Sequence, residues 1–196
     1  GYSLPLEGLL EAADQNTGLV FVTTPDNPSG VATPAVELEK MVSDLPPDTL
    51  LVIDEAYVEF TKPRERFDSL SWWSEECPVV ILRTFSKMYG LAGLRLGYGI
   101  MPGWLADCLL RVRLPFSVNL LAEKAGCAAL EDEAFVQKTL ETVLAGRDFL
   151  TGELEGLGCR VTPSQANFLL FKPPGPARRI FEQLLARGVI VRPLAG

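Results

Sequence analysis

The sequence predicts an α/β fold: a mostly parallel sheet with flanking helices over residues 1–130, then a small α+β lobe over residues 131–196. Three observations carry this. In the first half, short unbroken apolar runs alternate with helical segments, the pattern of a parallel sheet buried on both faces. The apolar runs end in polar clusters, as expected where ligands meet the carboxyl ends of strands. From residue 131 the order changes to one long helix followed by strand, strand, helix and strand.

Residues 3–14 read as a short helix with Leu6, Leu9, Leu10 and Ala13 on one side, closed by the turn Asn16-Thr17-Gly18. Residues 19–22 are a buried strand running into Thr24-Pro25-Asp26-Asn27-Pro28-Ser29-Gly30, a cluster of chain breakers. Thr33 as N-cap and Pro34 at the first helical position predict a helix that reaches Ser43. Leu45-Pro46-Pro47-Asp48 is a loop. Residues 49–53 form a second buried strand, ending at Asp54-Glu55-Ala56-Tyr57. Residues 58–76 are polar around Lys62-Pro63-Arg64-Glu65-Arg66 and predict a surface excursion, with Trp72 and Trp73 in a short packed helix.

Further strands are expected over residues 79–83 and 96–100. Helices follow from Pro102-Gly103 to Arg113, from Asn119 to Leu130 and from Glu133 to Leu157, with Leu114-Pro115 breaking the first from the second. Residues 158–162 and 166–171 read as strands and Pro173-Pro174-Gly175-Pro176 as a turn. Residues 177–187 read as a helix ended by Gly188 at C′, and Val189-Ile190-Val191 as a last strand.

Composition narrows the function. Apolar residues at 47% and a mean hydropathy of +0.18 supply a core. A net charge of −7 and a pI near 4.7 argue against nucleic acid or an acidic membrane surface as partner, although local basic residues can still bind an anion. No apolar run approaches the ~18 residues of a membrane helix. Gly1-Tyr2-Ser3-Leu4-Pro5 lacks the basic and apolar stretches of a signal peptide, so none is expected. Cys77, Cys108, Cys127 and Cys159 are scattered without a Cys-x-x-Cys pair, which predicts reduced thiols, no metal cage and a cytoplasmic location. The chain has no histidine, which removes Ser-His-Asp hydrolysis, Cys-His proteolysis and most zinc catalysis from consideration within it.

The most informative stretch lies between the apolar runs at 79–82 and 96–100. It carries Thr84, Ser86, Lys87, Gly90, Gly93 and Arg95. A lysine at the mouth of a buried sheet is placed to be desolvated, which lowers its pKa and frees a neutral amine as nucleophile. Thr84, Ser86 and Arg95 offer hydroxyls and a guanidinium to a phosphate, and Gly90 and Gly93 admit close backbone approach. A phosphate site beside a reactive lysine is what a Schiff base with pyridoxal phosphate requires. The plainer alternative makes Lys87 a solvated loop lysine and Arg95 a surface charge. Asp54 either caps the turn after its strand or stays ionised against a pyridine nitrogen, with Tyr57 in reach of the ring's phenolic oxygen. Asn27-Pro28-Ser29-Gly30 on its own is a β-turn. Arg192 is a candidate for binding a substrate anion, or a surface arginine at a strand end.

Arg83-Thr84-Phe85-Ser86-Lys87, followed by Gly90-Leu91-Ala92-Gly93-Leu94-Arg95-Leu96-Gly97-Tyr98, resembles the lysine segment of fold-type-I pyridoxal-phosphate aminotransferases. More narrowly, it is similar to the histidinol-phosphate aminotransferase branch. Asn27-Pro28-Ser29-Gly30, Asp54-Glu55-Ala56-Tyr57-Val58-Glu59-Phe60, Leu114-Pro115-Phe116-Ser117-Val118-Asn119 and Pro163-Ser164-Gln165-Ala166-Asn167-Phe168 extend the resemblance nearly end to end. The last two are assigned no chemistry. Asp26 stands where the family often has a second asparagine.

The resemblance implies pyridoxal 5'-phosphate held on Lys87, with Lys87 also the general base. Asn27, Asp54, Tyr57, Thr84, Ser86 and Arg95 would bind the cofactor and Arg192 a substrate anion. It implies transamination of histidinol phosphate with 2-oxoglutarate in histidine biosynthesis, by a homodimer of the full-length protein. Family members are longer, so the chain is expected to begin inside the large domain and stop before the small domain is complete. Two further readings stay open. One is a sister enzyme, an aromatic aminotransferase or a threonine-phosphate decarboxylase. The other is a non-catalytic fragment, which predicts exposed apolar faces.

Overall fold

The computed structural model describes residues 2–194. Four strands, β1 (Leu19–Thr23), β2 (Leu50–Asp54), β3 (Val79–Thr84) and β4 (Gly97–Ile100), form one sheet in that order. The β1/β2 and β2/β3 pairs are parallel, and β4 runs antiparallel to β3. Between β3 and β4 the chain makes only a 3₁₀ turn, Ala92–Leu94, instead of a crossover helix, so β4 has to return beside β3 in the opposite direction.

The sheet is held by nine buried side chains, among them Val20, Val22, Leu51, Ile53, Val79 and Ile81 from the strands. Leu38 and Met41 face them from α2 (Ala35–Asp44), and α1 (Leu6–Ala12) adds partly buried leucines. Each such side chain is worth roughly 1.5–3 kcal/mol in apolar burial. β1 is not buried on both faces as expected: Phe21, at 66% exposed, alternates with buried Val20 and Val22, so among the described residues this strand packs through one face. α2 starts one residue later than predicted. Pro34 takes the cap position, and the Thr33 N–H donates instead to Thr24 Oγ1 at 2.8 Å.

Residues 58–76 correct a larger expectation. They form three 3₁₀ turns, Val58–Phe60, Arg64–Arg66 and Ser69–Ser71, and Val58, Glu59, Phe60, Phe67 and Ser69 are buried. The reason is an ion cluster under the strand ends. Arg83 Nη2 donates to Glu55 Oε2 at 2.7 Å and also to Asp68 Oδ1, while the Ser69 N–H donates to Glu55 Oε1 at 2.9 Å. Charges that read as solvated therefore neutralise one another inside the fold. Burial disfavours the charge on Arg83, but Glu55 and Asp68 more than offset this and raise its pKa. Burial pushes the Glu55 carboxyl up against the pull of Arg83. Trp72 and Trp73 lie half-buried against the sheet core, just after the last turn.

The remainder follows the expected order: α3 (Gly103–Val112), α4 (Leu120–Glu131), α5 (Glu133–Gly156), β5 (Arg160–Thr162), β6 (Leu170–Lys172) and α6 (Ala177–Leu185). Asn119 and Asp132 cap α4 and α5 through their side chains. β5 and β6 are antiparallel and shorter than predicted, because the residues between them fold into a side-chain-bonded turn. The expected last strand does not form: residues 189–191 have no ladder partner among the described residues, and Ile190 is 82% exposed. A second apolar cluster, of Tyr57, Phe60, Met88 and Ala166 with Val136, Leu140, Val143 and Phe168, joins α5 and the lobe to the strand ends. Among the described residues no helix is long and apolar enough to cross a membrane. Nor does any group of His, Cys, Asp and Glu among them fit a metal ion.

Candidate active site

The register brings three strand ends together. Thr23 pairs with Asp54, Asp54 with Leu82, and Thr84 with Gly97. The residues just past these ends therefore share one edge of the sheet.

The loop after β1 is built on Asp26. Its Oδ2 accepts from the Ser29 N–H at 3.1 Å and from the Ser29 hydroxyl, and its carbonyl accepts from the Gly30 N–H at 2.7 Å. This acceptor geometry explains why Asp26 serves where the resembling family often has asparagine. The loop presents Asn27, whose Nδ2 donates to the Tyr57 hydroxyl at 3.0 Å. Tyr57 is buried, and the Phe168 ring meets it edge-on, with centroids 5.1 Å apart at 85°. Lys87 Nζ lies 5.4 Å from the centre of the Tyr57 ring, within cation–π range. Asn27, Tyr57 and Lys87 thus form one contact chain, built from residues after three different strands.

Asp54 is half-buried. Its Oδ1 accepts from the Ala56 N–H at 3.0 Å, so it does cap the following turn, while Oδ2 has no partner among the described residues. The turn-cap and ligand-binding roles are therefore compatible. Thr84 Oγ1 accepts from the Ser86 N–H at 3.0 Å, fixing the first bend of the lysine loop. The loop is anchored by buried Phe85 and Met88, which flank an exposed Lys87. The expected burial of Lys87 is thus not seen: Phe85 and Met88 take the buried positions, and Lys87 keeps an exposed one with its Nζ over the Tyr57 ring.

Arg95 is exposed, adopts a left-handed backbone conformation (φ 55°) and donates from Nη1 to the Ala92 carbonyl at 2.8 Å, which ends the 3₁₀ turn. Its remaining N–H groups have no partner among the described residues. Arg192 is exposed beyond α6 and makes no hydrogen bond or ion pair among the described residues, so no recorded contact ties it to the others.

Sequence reasoning missed the lobe's share. The turn over residues 164–168, left without chemistry, touches both the Asn27 loop and Tyr57. The Gln165 N–H donates to the Gly30 carbonyl at 2.7 Å, and the Gln165 side chain brackets the Lys62 backbone at 2.9 and 3.3 Å. Arg147 Nη1 donates to the Ala166 carbonyl at 3.2 Å, and burial lowers its pKa. The motif Pro163-Ser164-Gln165-Ala166-Asn167-Phe168 was the available signal, but nothing in its composition names these partners.

A family model described as aminotransferase class I and II matches residues 1–196. A histidinol-phosphate aminotransferase of Nitratidesulfovibrio vulgaris is 53% identical over 193 residues, covering 98% of this chain and 52% of that protein. One from Oleidesulfovibrio alaskensis is 49% identical over 198 residues, covering 99% and 52%. The chain spans about half the length of the curated relatives it matches. Among solved structures, histidinol-phosphate aminotransferase from Sinorhizobium meliloti in complex with pyridoxal-5'-phosphate superposes with a TM-score of 0.88 at 33% identity, over 95% of this chain and 52% of that one. L-threonine-O-3-phosphate decarboxylase from Porphyromonas gingivalis gives 0.76 at 27% identity, over 96% and 58%.

Proposed function

The chain belongs to the aminotransferase class I and II family, and on that premise we propose that the protein carrying it transfers the amino group of histidinol phosphate to 2-oxoglutarate, using pyridoxal 5'-phosphate. Its sheet is part of the large domain of a fold-type-I pyridoxal-phosphate transferase. We assign residues 1–130 to that domain and 131–196 to part of the small one, and place the protein in the cytoplasm as a homodimer acting in histidine biosynthesis. The observation that carries the reading is the Asn27–Tyr57–Lys87 contact chain, set beside Asp54 at the ends of parallel strands.

The donor set fits the cofactor. An exposed amine (Lys87), a strand-end carboxylate with one oxygen unpaired among the described residues (Asp54), a phenol–amide pair (Tyr57 and Asn27), and the hydroxyls of Thr84 and Ser86 with the Arg95 guanidinium further along the same loop match in kind an aldehyde, a ring nitrogen, a phenolic oxygen and a phosphate. When bound, the cofactor supplies a ring that accepts an electron pair from the donor's α-carbon. Lys87 would hold it covalently through Nζ and then move the proton at the donor's α-carbon. Asp54 would keep a proton on the ring nitrogen through its unpaired oxygen. Tyr57, oriented by Asn27, would donate to the phenolic oxygen. Thr84, Ser86 and Arg95 would bind the phosphate by charge-assisted hydrogen bonds. Arg192 would bind the substrate's anionic group.

Cofactor trapping tests this. The full-length protein is incubated with pyridoxal phosphate, reduced with borohydride and mapped by peptide mass spectrometry. A stoichiometric adduct on Lys87 is expected. Adducts scattered over Lys40 and Lys62, or none on Lys87, sink the proposal. Absorbance changes on adding histidinol phosphate, an aromatic amino acid or O-phosphothreonine then rank the donors. One observation favours a second reading for these 196 residues on their own, that of a non-catalytic part: an exposed apolar segment runs from Trp104 to Leu121. Trapping on the isolated chain decides it.

A further inference from the structure

We infer that the lobe turn over residues 164–168 is a positioning element for the candidate active site, because it holds both partners of the Asn27–Tyr57 hydrogen bond from behind. The inference rests on the reading of that site as a cofactor site. One hydrogen bond between an exposed amide and a phenol contributes only about 0.5–1.5 kcal/mol net. That is too little to fix two loops that leave different strands. The turn supplies what the bond lacks.

Its first hold is on the Asn27 loop. The Gln165 N–H donates to the Gly30 carbonyl at 2.7 Å. Gly30 has a φ of +74°, and a Cβ built there would fall 2.2 Å from Ser164 Oγ and 2.7 Å from Ser164 Cβ. The two backbones meet only because residue 30 has no side chain. The second hold is on Tyr57, whose ring meets that of Phe168 at 85° and also lies 5.4 Å from Lys87 Nζ.

The turn itself is rigid. Ser164 Oγ donates to the Phe168 carbonyl at 2.7 Å and accepts from the Ala166 N–H at 3.0 Å. Ala166 is fully buried, and Arg147 on α5 holds its carbonyl. The order of support runs from α5 through the turn to Asn27 and Tyr57, and so to Lys87. Gly30, Gln165 and Phe168 are positioning residues that act through their neighbours.

The test compares Gly30→Ala, Phe168→Leu and the conservative Phe168→Tyr in the full-length protein, with Asn27→Ala as reference. Three quantities are read: affinity for pyridoxal phosphate by fluorescence titration, the pH at which the bound cofactor's visible absorption changes, and the unfolding midpoint. Gly30→Ala and Phe168→Leu should each weaken affinity by roughly twofold to tenfold, the size of an aromatic-pair contribution. They should also move the absorption change to higher pH by about half a unit, in the same direction as Asn27→Ala. With its donors displaced, an anionic phenolic oxygen holds the neighbouring proton more tightly. Phe168→Tyr should track the parent.

If both turn variants keep the parent's affinity and pH profile, the inference is overturned even where the unfolding midpoint falls, since the turn is then only structural. Should one variant fail to fold, the other decides. Trapping on the parent separates the two levels of the argument. No Lys87 adduct means the site reading fails and takes this inference with it. A Lys87 adduct with unaffected turn variants means that only the inference fails.

Discussion

The carboxyl edge of the sheet and the segment from Trp104 to Leu121 are both rich in apolar residues, yet they end up in opposite states. At the sheet edge, Val22, Ile53, Ile81, Phe85 and Met88 are buried, and polar groups between them find partners within a few ångströms. In the other segment Phe116 is 97% exposed and Leu121 74%, with Leu110, Val112, Leu114 and Leu120 also open. The contrast teaches that apolar content marks surface suited to burial without saying against what. At the sheet edge the cover comes from neighbouring strands, from α2 over Val22, Ile53 and Ile81, and from α5 over Met88. Over residues 104–121 the described residues provide none.

Three experiments break or sharpen this contrast. The largest effect belongs to Arg83→Met. It leaves Glu55 buried without its cation, and loss of one partner of a buried pair costs about 3–5 kcal/mol. Chemical denaturation measures it, and a cost below about 1 kcal/mol would mean the strand ends do not depend on the ion cluster.

A smaller effect is expected at Asp68. Burial would raise its pKa, but Arg83 and the Leu70 N–H more than offset this and hold the carboxyl below the usual range. A depressed carboxyl contributes stability that is complete above its unfolded pKa of about 3.9 and is lost as pH falls through the folded value. Asp68→Asn should therefore lower stability at pH 7 and lose less than the parent on acidification to pH 3, as read from denaturation curves at both pH values. Equal acid losses in the two proteins would remove Asp68 from the account.

The smallest effect is expected at Phe116→Ser, which should change unfolding free energy by no more than about 0.5 kcal/mol while reducing self-association in sedimentation. A loss as large as that of a core substitution would show that this segment is covered in solution, and the contrast would collapse.

Most of the sheet was legible in the sequence, because short unbroken apolar runs such as residues 79–82, bounded by polar clusters, match strands of a buried parallel sheet. Asn27, Asp54, Tyr57 and Lys87 were legible for a related reason: each lies at or just past a strand end, and parallel register brings those ends together. Glu55, Arg83 and Asp68 were not. Charge reads as solvated until its partner is known, and Arg83 lies 28 residues from Glu55. The exposure of Lys87 was misjudged because its neighbours Phe85 and Met88 take the buried positions. Val189-Ile190-Val191 has strand-forming residues but no strand beside it among the described residues, and Phe168 offers no local sign that Tyr57 is its neighbour.

The antiparallel return of β4 has a consequence for the order in which the protein is made. The lysine loop closes on itself: the Phe85 N–H donates to the Leu96 carbonyl at 3.1 Å, and Thr84 faces Gly97. Such a local closure has a small entropic cost and forms fast. The contacts of Gln165 with Lys62 span 103 residues. On the ribosome, the amine's loop can close while residues 164–168 are still untranslated, and the lobe turn joins it afterwards. A nascent chain arrested before residue 164 would carry the lysine loop and the Asn27 loop without the hydrogen bonds of Gln165, so the contacts that join the two regions are added after both loops have been made.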